Sequence, residues 1–433
     1  TCMKEFVRRI IVAVIAIKAR IVLKKYRPSM LLVSGSVGTT STKDALYDAL
    51  RDSLFIRKSQ KSFNSDIGTP LTILGVPNGW SNPFTWLKNF FDGLLLILLR
   101  APYPAWLLIE VGADKPGDIS KSLSWLTPNI VVLTRVPDVP VHVEFYASPQ
   151  KVFEEETSPV SWLTSGTLIT NADDDNMRAL VTPDGVTRLT YGIDRDADVR
   201  ALHIEYRLFD TAVETRCTVE STESGRSALV LTGVLGRGHV YASLAALAGA
   251  RAAGVSFERA IAALATYDGP PARMRALTGI KSTLLIDDTY NSSPAAVREA
   301  LETCAALKLE SQRRVVVVLG DMLELGSYSV KEHEAVGTAA AGVADVLVTV
   351  GVRARSMQDG ARIAGMLDSA LVGYDNSTQA SQALPSLVQE GDIILVKGSQ
   401  SIRMERVTKA LMQNPESAHS LLCRQDAEWL SRP

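Results

Sequence analysis

Short apolar runs that stop abruptly at polar or glycine residues recur along this chain, and they constrain its fold more than any other feature. Met30-Leu-Leu-Val-Ser34, Leu107-Leu-Ile-Glu110, Ile130-Val-Val-Leu-Thr134 and Gly166-Thr-Leu-Ile-Thr170 are each four or five residues long. They are too short for helices and continuous rather than alternating, so each reads as a strand buried on both faces of a parallel sheet. From residue 185 to 235 the pattern changes to alternating stretches such as His203–Leu208 and Ala228–Thr232, an expected antiparallel extension. Alanine-rich helices are expected over 239–253 and 256–267. Consecutive prolines in Tyr267-Asp-Gly-Pro-Pro271 end the second of them and stiffen a linker. Strands then restart at 283–287, 315–319, 346–350 and 393–397, with helices around 294–307, 330–343 and 403–412. That alternation predicts a second doubly wound sheet.

The sharpest local signal is Gly35-Ser-Val-Gly-Thr-Thr-Ser-Thr-Lys43. A glycine-rich turn between strand and helix presents backbone N–H groups at a positive helix end, where phosphates bind. Gly35, Ser36, Gly38, Thr39, Thr40 and Ser41 are therefore the candidate phosphate contacts, with Thr40 where a P-loop places its magnesium-binding hydroxyl. The lysine of that motif is absent; Thr39 stands in its place. The expected class is α/β. A basic amphipathic helix over 1–28 precedes a P-loop-type central domain over 29–267 and a Rossmann-like C-terminal domain over 268–433.

Forty-six basic against 47 acidic residues leave a formal charge of -1, so no global field exists to hold nucleic acid. Four cysteines lie far apart without a CxxC pair, which argues against a zinc site and fits a reducing cytoplasm. The apolar runs Ile10–Ile17 and Leu94–Leu99 are too short to span a bilayer. The first helix, with Lys4, Arg8, Arg9, Lys18, Arg20, Lys24 and Lys25, leaves room for peripheral membrane contact, against the plainer reading of a helix packed on the domain behind it.

Nine ordered segments resemble the Mur ligase family, and within it the branch that adds D-alanyl-D-alanine to a UDP-N-acetylmuramoyl tripeptide. They are Val33–Lys43, Asn64–Thr72, Glu110–Asp118, His142–Glu144, Asn171–Asp174, Gly238-His239 with Arg273-Met274, Asp287–Pro294, Gly320–Gly326 and Lys397–Ser399. The resemblance implies an ATP-dependent amide (C–N) ligase of peptidoglycan precursor synthesis, cytoplasmic and monomeric. Such an enzyme phosphorylates a carboxylate with ATP and lets an amine attack the acyl phosphate. Thr40 and Glu110 are then implied ligands of a first Mg2+, and His142 of a second. Asp288 and Asn291 are implied nucleotide contacts, Arg273 a γ-phosphate contact on domain closure, and Lys397 a cleft-facing lysine near the acyl phosphate. Counting on from His142 puts Glu156 where the family carries a carbamylated lysine, a further implied metal ligand. Each residue also has a plainer reading: a strand-end ion pair for Glu110, a core histidine for His142, a helix cap for Asp288, a linker arginine for Arg273. The run Glu154–Glu156 reads equally as a solvated helix face, and Lys397 as a snorkelling lysine.

Three features of the sequence pull away from catalysis. Thr39 removes a phosphate-neutralising charge, Glu156 puts a shorter stem where the family carries its carbamylated lysine, and the segment ahead of the turn is expected to be too short for the UDP-sugar domain the family usually carries. The alternative expectation is a catalytically impaired, ligase-like protein that binds nucleotide or precursor. A folate-type glutamate ligase is a weaker fit, because Asp287–Pro294 and Leu319–Gly326 resemble the dipeptide-adding branch.

Overall fold

Alternate residues of the first apolar run point to opposite faces, and each face is covered by helices. In strand β1 (Ser29–Ser34) Leu31 and Val33 join one core with Ala45, Leu46, Ala49 and Leu50 of the helix Thr39–Arg51 and with the helix Arg237–Ala252. Met30 and Leu32 join a second core with Ile15, Ala19 and Val22 of the helix Cys2–Tyr26. The basic first helix therefore packs on the domain behind it. The computed structural model describes residues 2–60, 67–80 and 82–431. Asn64, Ser65 and Asp66, and the side chains of Lys4, Arg8 and Arg9, lie outside what it describes.

The first sheet contains β1, β2 (Ile56–Lys58), β3 (Trp106–Glu110), β4 (Ile130–Leu133), β5 (Gly166–Asn171), β6 (Val186–Gly192), β7 (Val199–Phe209), β8 (Ala212–Ser221) and β9 (Gly225–Thr232). Their order is β2-β3-β1-β4-β5-β6-β7-β8-β9. Pairing is parallel through β6–β7 and antiparallel from β7 to β9. The change in texture at residue 185 thus precedes the change in direction: β6 alternates in burial but runs parallel to β5. The second sheet contains β10 (Arg275–Thr278), β11 (Leu284–Asp288), β12 (Val315–Gly320), β13 (Val346–Val350), β14 (Leu371–Tyr374) and β15 (Ile393–Lys397), in the order β10-β11-β15-β12-β13-β14. Only β10 is antiparallel to its neighbour.

Leu94–Leu99 belongs mainly to a helix, Pro83–Leu98, rather than standing as a bare apolar run. Asn82 starts it by accepting from Phe84 N and Thr85 N, with Pro83 in the first turn.

The proline linker is stiff, as expected, and is also packed in place. Gly269 and Pro270 are buried, and a Cβ on Gly269 (φ 69°) would come 2.7 Å from Val234 Cγ1 and 2.9 Å from His239 Cε1. The two sheets are also joined away from the linker. Val213 and Leu235 pack into the core of the second sheet, and Arg135 pairs with Glu299 on the helix Pro294–Ser311. The lobes are in contact, with the glycine turn close to their seam.

Candidate active site

β1 feeds directly into the glycine turn, whose shape demands glycine at two points. Gly35 (φ 129°) lies so close to β4 that a Cβ would collide with Thr134 Oγ1, and Gly38 (φ 87°) takes the left-handed conformation that opens the next helix. No side chain caps that helix. Its first hydroxyls point to Glu110, the last residue of β3, which is 3% exposed. Thr40 Oγ1 donates to Glu110 Oε1 at 2.7 Å and Thr39 Oγ1 at 3.0 Å. Lys43, one turn on, is buried with its Nζ 3.2 Å from Glu110 Oε2, although that oxygen receives no hydrogen bond of good geometry. A carboxylate and a threonine hydroxyl within 2.7 Å are hard oxygen donors of the kind Mg2+ takes, and the under-satisfied Oε2 leaves coordinating capacity.

The turn already uses part of its own donor set. Ser36 N and Val37 N both donate to Arg135 O at 3.1 Å, and Gly35 N donates to Glu156. Ser36 Oγ is buried without a partner, and Ser41 O accepts from the Tyr267 hydroxyl at 3.3 Å. Glu156 is 4% exposed, so the solvated-face expectation holds only for Glu154 within the run; Glu155 accepts from Gly117 N and Ile119 N. Besides Gly35, Glu156 accepts from Ser34 Oγ at 3.2 Å and from Ala113 N. Burial nonetheless outweighs these donors and pushes its carboxyl up to about 7.

His142 sits at φ 65°, one step before the turn that carries Glu144. Its Nδ1 lies 2.5 Å from Glu324 Oε2 and its Nε2 3.6 Å from Asp114 Oδ1. Burial by itself would lower its pKa, but the close carboxylate of Glu324, with Asp114 and Glu156, raises it above the usual histidine value. Glu324 shifts down correspondingly through the same contact. Among the described residues no group of three His, Cys, Asp or Glu is arranged around a metal position. Both groups are held by protein partners here, His142 by Glu324 and Glu156 by Ser34, Gly35 and Ala113. His142 ties the central domain to the loop 320–326 of the second, helped by Glu144 N donating to Glu324 O at 3.3 Å.

At the second sheet, Lys397 does not face an open cleft. It is 2% exposed, its Nζ 2.6 Å from Asp288 Oδ2 and 3.0 Å from Asn291 O. Asp288 Oδ1 accepts from Met274 N at 3.3 Å, so both its oxygens hold protein groups; the cap of the following helix is Ser293, not Asp288. Asn291 Oδ1 accepts from Ser292 N. Arg273 lies 4.2 Å over the Tyr290 ring with a buried, unpartnered Nε. Its carbonyl accepts from His239 Nε2 at 2.7 Å, while His239 Nδ1 meets the Tyr267 hydroxyl at 2.9 Å. His239 is 2% exposed, and burial holds its pKa down at about 4, so it is a neutral strut between helix and linker.

Comparison with known proteins follows the same two lobes. Residues 93–250 match the Mur ligase middle domain, and residues 272–400 match the Mur ligase glutamate ligase domain. This chain belongs to the Mur ligase family. Curated relatives named UDP-N-acetylmuramoyl-tripeptide--D-alanyl-D-alanine ligase include that of Bacillus subtilis, 24% identical over 92% of this chain and 79% of its own length. That of Mycobacterium tuberculosis is 28% identical over 88% of this chain and 72% of its own, and that of Escherichia coli 27% over 89% and 77%. Among solved structures, a MurF ligase from Thermotoga maritima in complex with ADP superposes with a TM-score of 0.75 at 23% identity, covering 94% of this chain and 84% of that one. A MurF from Acinetobacter baumannii gives 0.74 at 23% identity, covering 93% and 80%.

Within this Mur ligase chain, the resemblance paired Thr40 with Glu110 and Asp288 with Asn291, and the structure adds Thr39 to the first pair and Lys397 to the second. It gave no role to Arg135, Glu299 or Glu324. Glu324 lay inside a quoted motif, but pairing with His142 joins positions 182 residues apart, which no local pattern announces.

Proposed function

We propose that this chain is an ATP-dependent amide-bond ligase of peptidoglycan precursor synthesis, joining D-alanyl-D-alanine to a UDP-N-acetylmuramoyl tripeptide in the cytoplasm. The observation that carries the reading is Glu110, held by Thr39, Thr40 and Lys43 at the mouth of a glycine turn in a Mur ligase fold. A carboxylate oxygen of the tripeptide attacks the γ-phosphorus and releases ADP. The dipeptide nitrogen then attacks the acyl carbon and expels phosphate. Gly38 through Ser41 receive the phosphates at the helix end. Thr40 and Glu110 would hold Mg2+, which when bound neutralises phosphate charge. Arg273, stacked on Tyr290, offers its guanidinium to an anion, and Lys397 positions the Asp288–Asn291 turn that faces the nucleotide. The division into 1–28, 29–267 and 268–433 belongs to the same proposal, the latter two parts each supplying one sheet.

Specific observations favour a second reading, an impaired ligase that binds nucleotide or precursor without turnover. Thr39 replaces the lysine, Lys43 is committed to Glu110, and Gly35, Ser36 and Val37 donate to the protein itself. Phosphate release from ATP, Mg2+, UDP-linked tripeptide and D-alanyl-D-alanine separates the two. Release that requires both peptide substrates supports the ligase. Thr39→Lys adds a charge worth roughly 4 kcal/mol at about 4 Å and an effective dielectric near 20, before desolvation. It is expected to tighten ATP at least tenfold. Silence from both proteins, with ATP still bound, would leave the binding reading in place of the ligase.

A further inference from the structure

A surface helix normally turns its apolar stripe to the core, and Pro83–Leu98 does the reverse. Phe84, Leu87, Phe91, Leu95 and Leu98 recur at spacings of three, four, four and three, one stripe along the helix, and all five are exposed. Trp80 and Leu99 extend the stripe at its ends, and Ile17 and Ile21 of the neighbouring helix Cys2–Tyr26 are exposed as well. The pair is anchored from its inner side. Lys18 Nζ donates to Phe90 O, Lys25 Nζ donates to Leu96 O and Ile97 O, and Asn89 and Gly93 are buried. An apolar surface of this continuity marks an interaction site.

Its rim identifies the partner. Arg20, Lys24, Arg27, Lys88 and Arg100 are exposed around the two helices. The only acid within residues 11–27 and 82–100 is Asp92, which pairs with Lys88. The chain as a whole is at -1, so this cationic rim is a local concentration. A second copy docked through a two-fold axis would set like charges against each other. An anionic lipid surface meets both the rim and the stripe, and aromatic residues such as Trp80 and Phe84 suit the headgroup level. No helix among the described residues is long and apolar enough to cross a membrane.

We infer that this chain binds anionic bilayers peripherally, with the helix Pro83–Leu98 lying in the headgroup plane and the basic residues of both helices on the phosphates. The inference stands independently of the ligase reading. Flotation of the full chain with phosphatidylcholine vesicles, with and without phosphatidylglycerol, tests it. Binding is expected only with phosphatidylglycerol, weakening as salt rises. Leu87→Glu/Phe91→Glu/Leu95→Glu is expected to abolish it with the circular dichroism spectrum retained. Lys24→Gln/Arg100→Gln, which leaves the stripe intact, is expected to weaken it about fivefold per charge removed. The inference is overturned if the wild-type chain stays unbound with phosphatidylglycerol, or if the triple variant floats as well as wild type. It is equally overturned if light scattering finds a dimer that the triple variant splits, or if a longer natural form of the protein covers the stripe and does not float.

Discussion

Replacing Glu156 by glutamine separates the charge of this side chain from its shape. The carboxyl is 4% exposed and lies among Ser34, the Gly35 and Ala113 N–H groups and His142. Burial is the largest influence and raises its pKa from 4.5 to about 7; the hydrogen bonds and His142 offset only part of it. The folded protein therefore holds a proton there that the unfolded chain releases above about pH 4.5. Stability associated with the neutral carboxyl is complete below that pH and is lost as pH rises through about 7. The interval corresponds to about 3 kcal/mol. Glutamine mimics the neutral form, so Glu156→Gln is expected to match wild type near pH 5 and exceed it by up to about 3 kcal/mol at pH 8. In a unit of this size each kcal/mol moves the melting temperature by about 2–4 °C, so differential scanning calorimetry across pH 5–8 resolves the divergence. Nucleotide binding gives a second readout. An ionised Glu156 competes with phosphate for the Gly35 end of the turn, so metal-free ATP should bind wild type more weakly at pH 8 than at pH 6, and the variant equally at both. Parallel stability profiles for the two proteins would refute the burial assignment.

His239 predicts the opposite limb. Its pKa is lowered to about 4, so the unfolded chain binds more protons between pH 4 and 6.5, and stability falls by about 3 kcal/mol as pH drops through that window. His239→Gln should flatten the acid side of the melting profile. Lys397→Met leaves Asp288 buried without its cation and is expected to cost about 3–5 kcal/mol, most of it restored in the Lys397→Met/Asp288→Asn pair, as urea unfolding would read. Arg135→Ala and Glu299→Ala, in a double-mutant cycle, are expected to show a coupling of roughly 1–3 kcal/mol. Small-angle scattering should register a larger radius of gyration for either variant if this pair holds the lobes together.

Much of the architecture was legible because central parallel strands are buried on both faces. Continuous runs such as Leu107–Glu110 and Val315–Leu319 announce themselves, and both form strands. Edge strands carry no such signal: Ile56-Arg-Lys58 is too short and polar, and Leu371–Tyr374 only half-buried. The parallel pairing of β6 escaped notice because one face of Val186–Gly192 is more exposed than those of the inner strands, which mimics an antiparallel pattern. The partners of Lys397 and His142 were not legible for one reason. A charged residue at a strand end or loop reveals its chemistry but not its partner, and Asp288 and Glu324 had already taken those charges.

By itself the sequence determined two layered α/β sheets and the glycine turn between β1 and its helix. Those follow from local hydrophobic pattern and backbone geometry, which act over a few residues. Tertiary structure alone decided that Glu156 is buried and near-neutral, that the proline linker is packed rather than free, and that an apolar helix face looks outward. Each depends on which distant groups surround a side chain, and burial, charge pairing and exposure exist only once the chain has closed on itself.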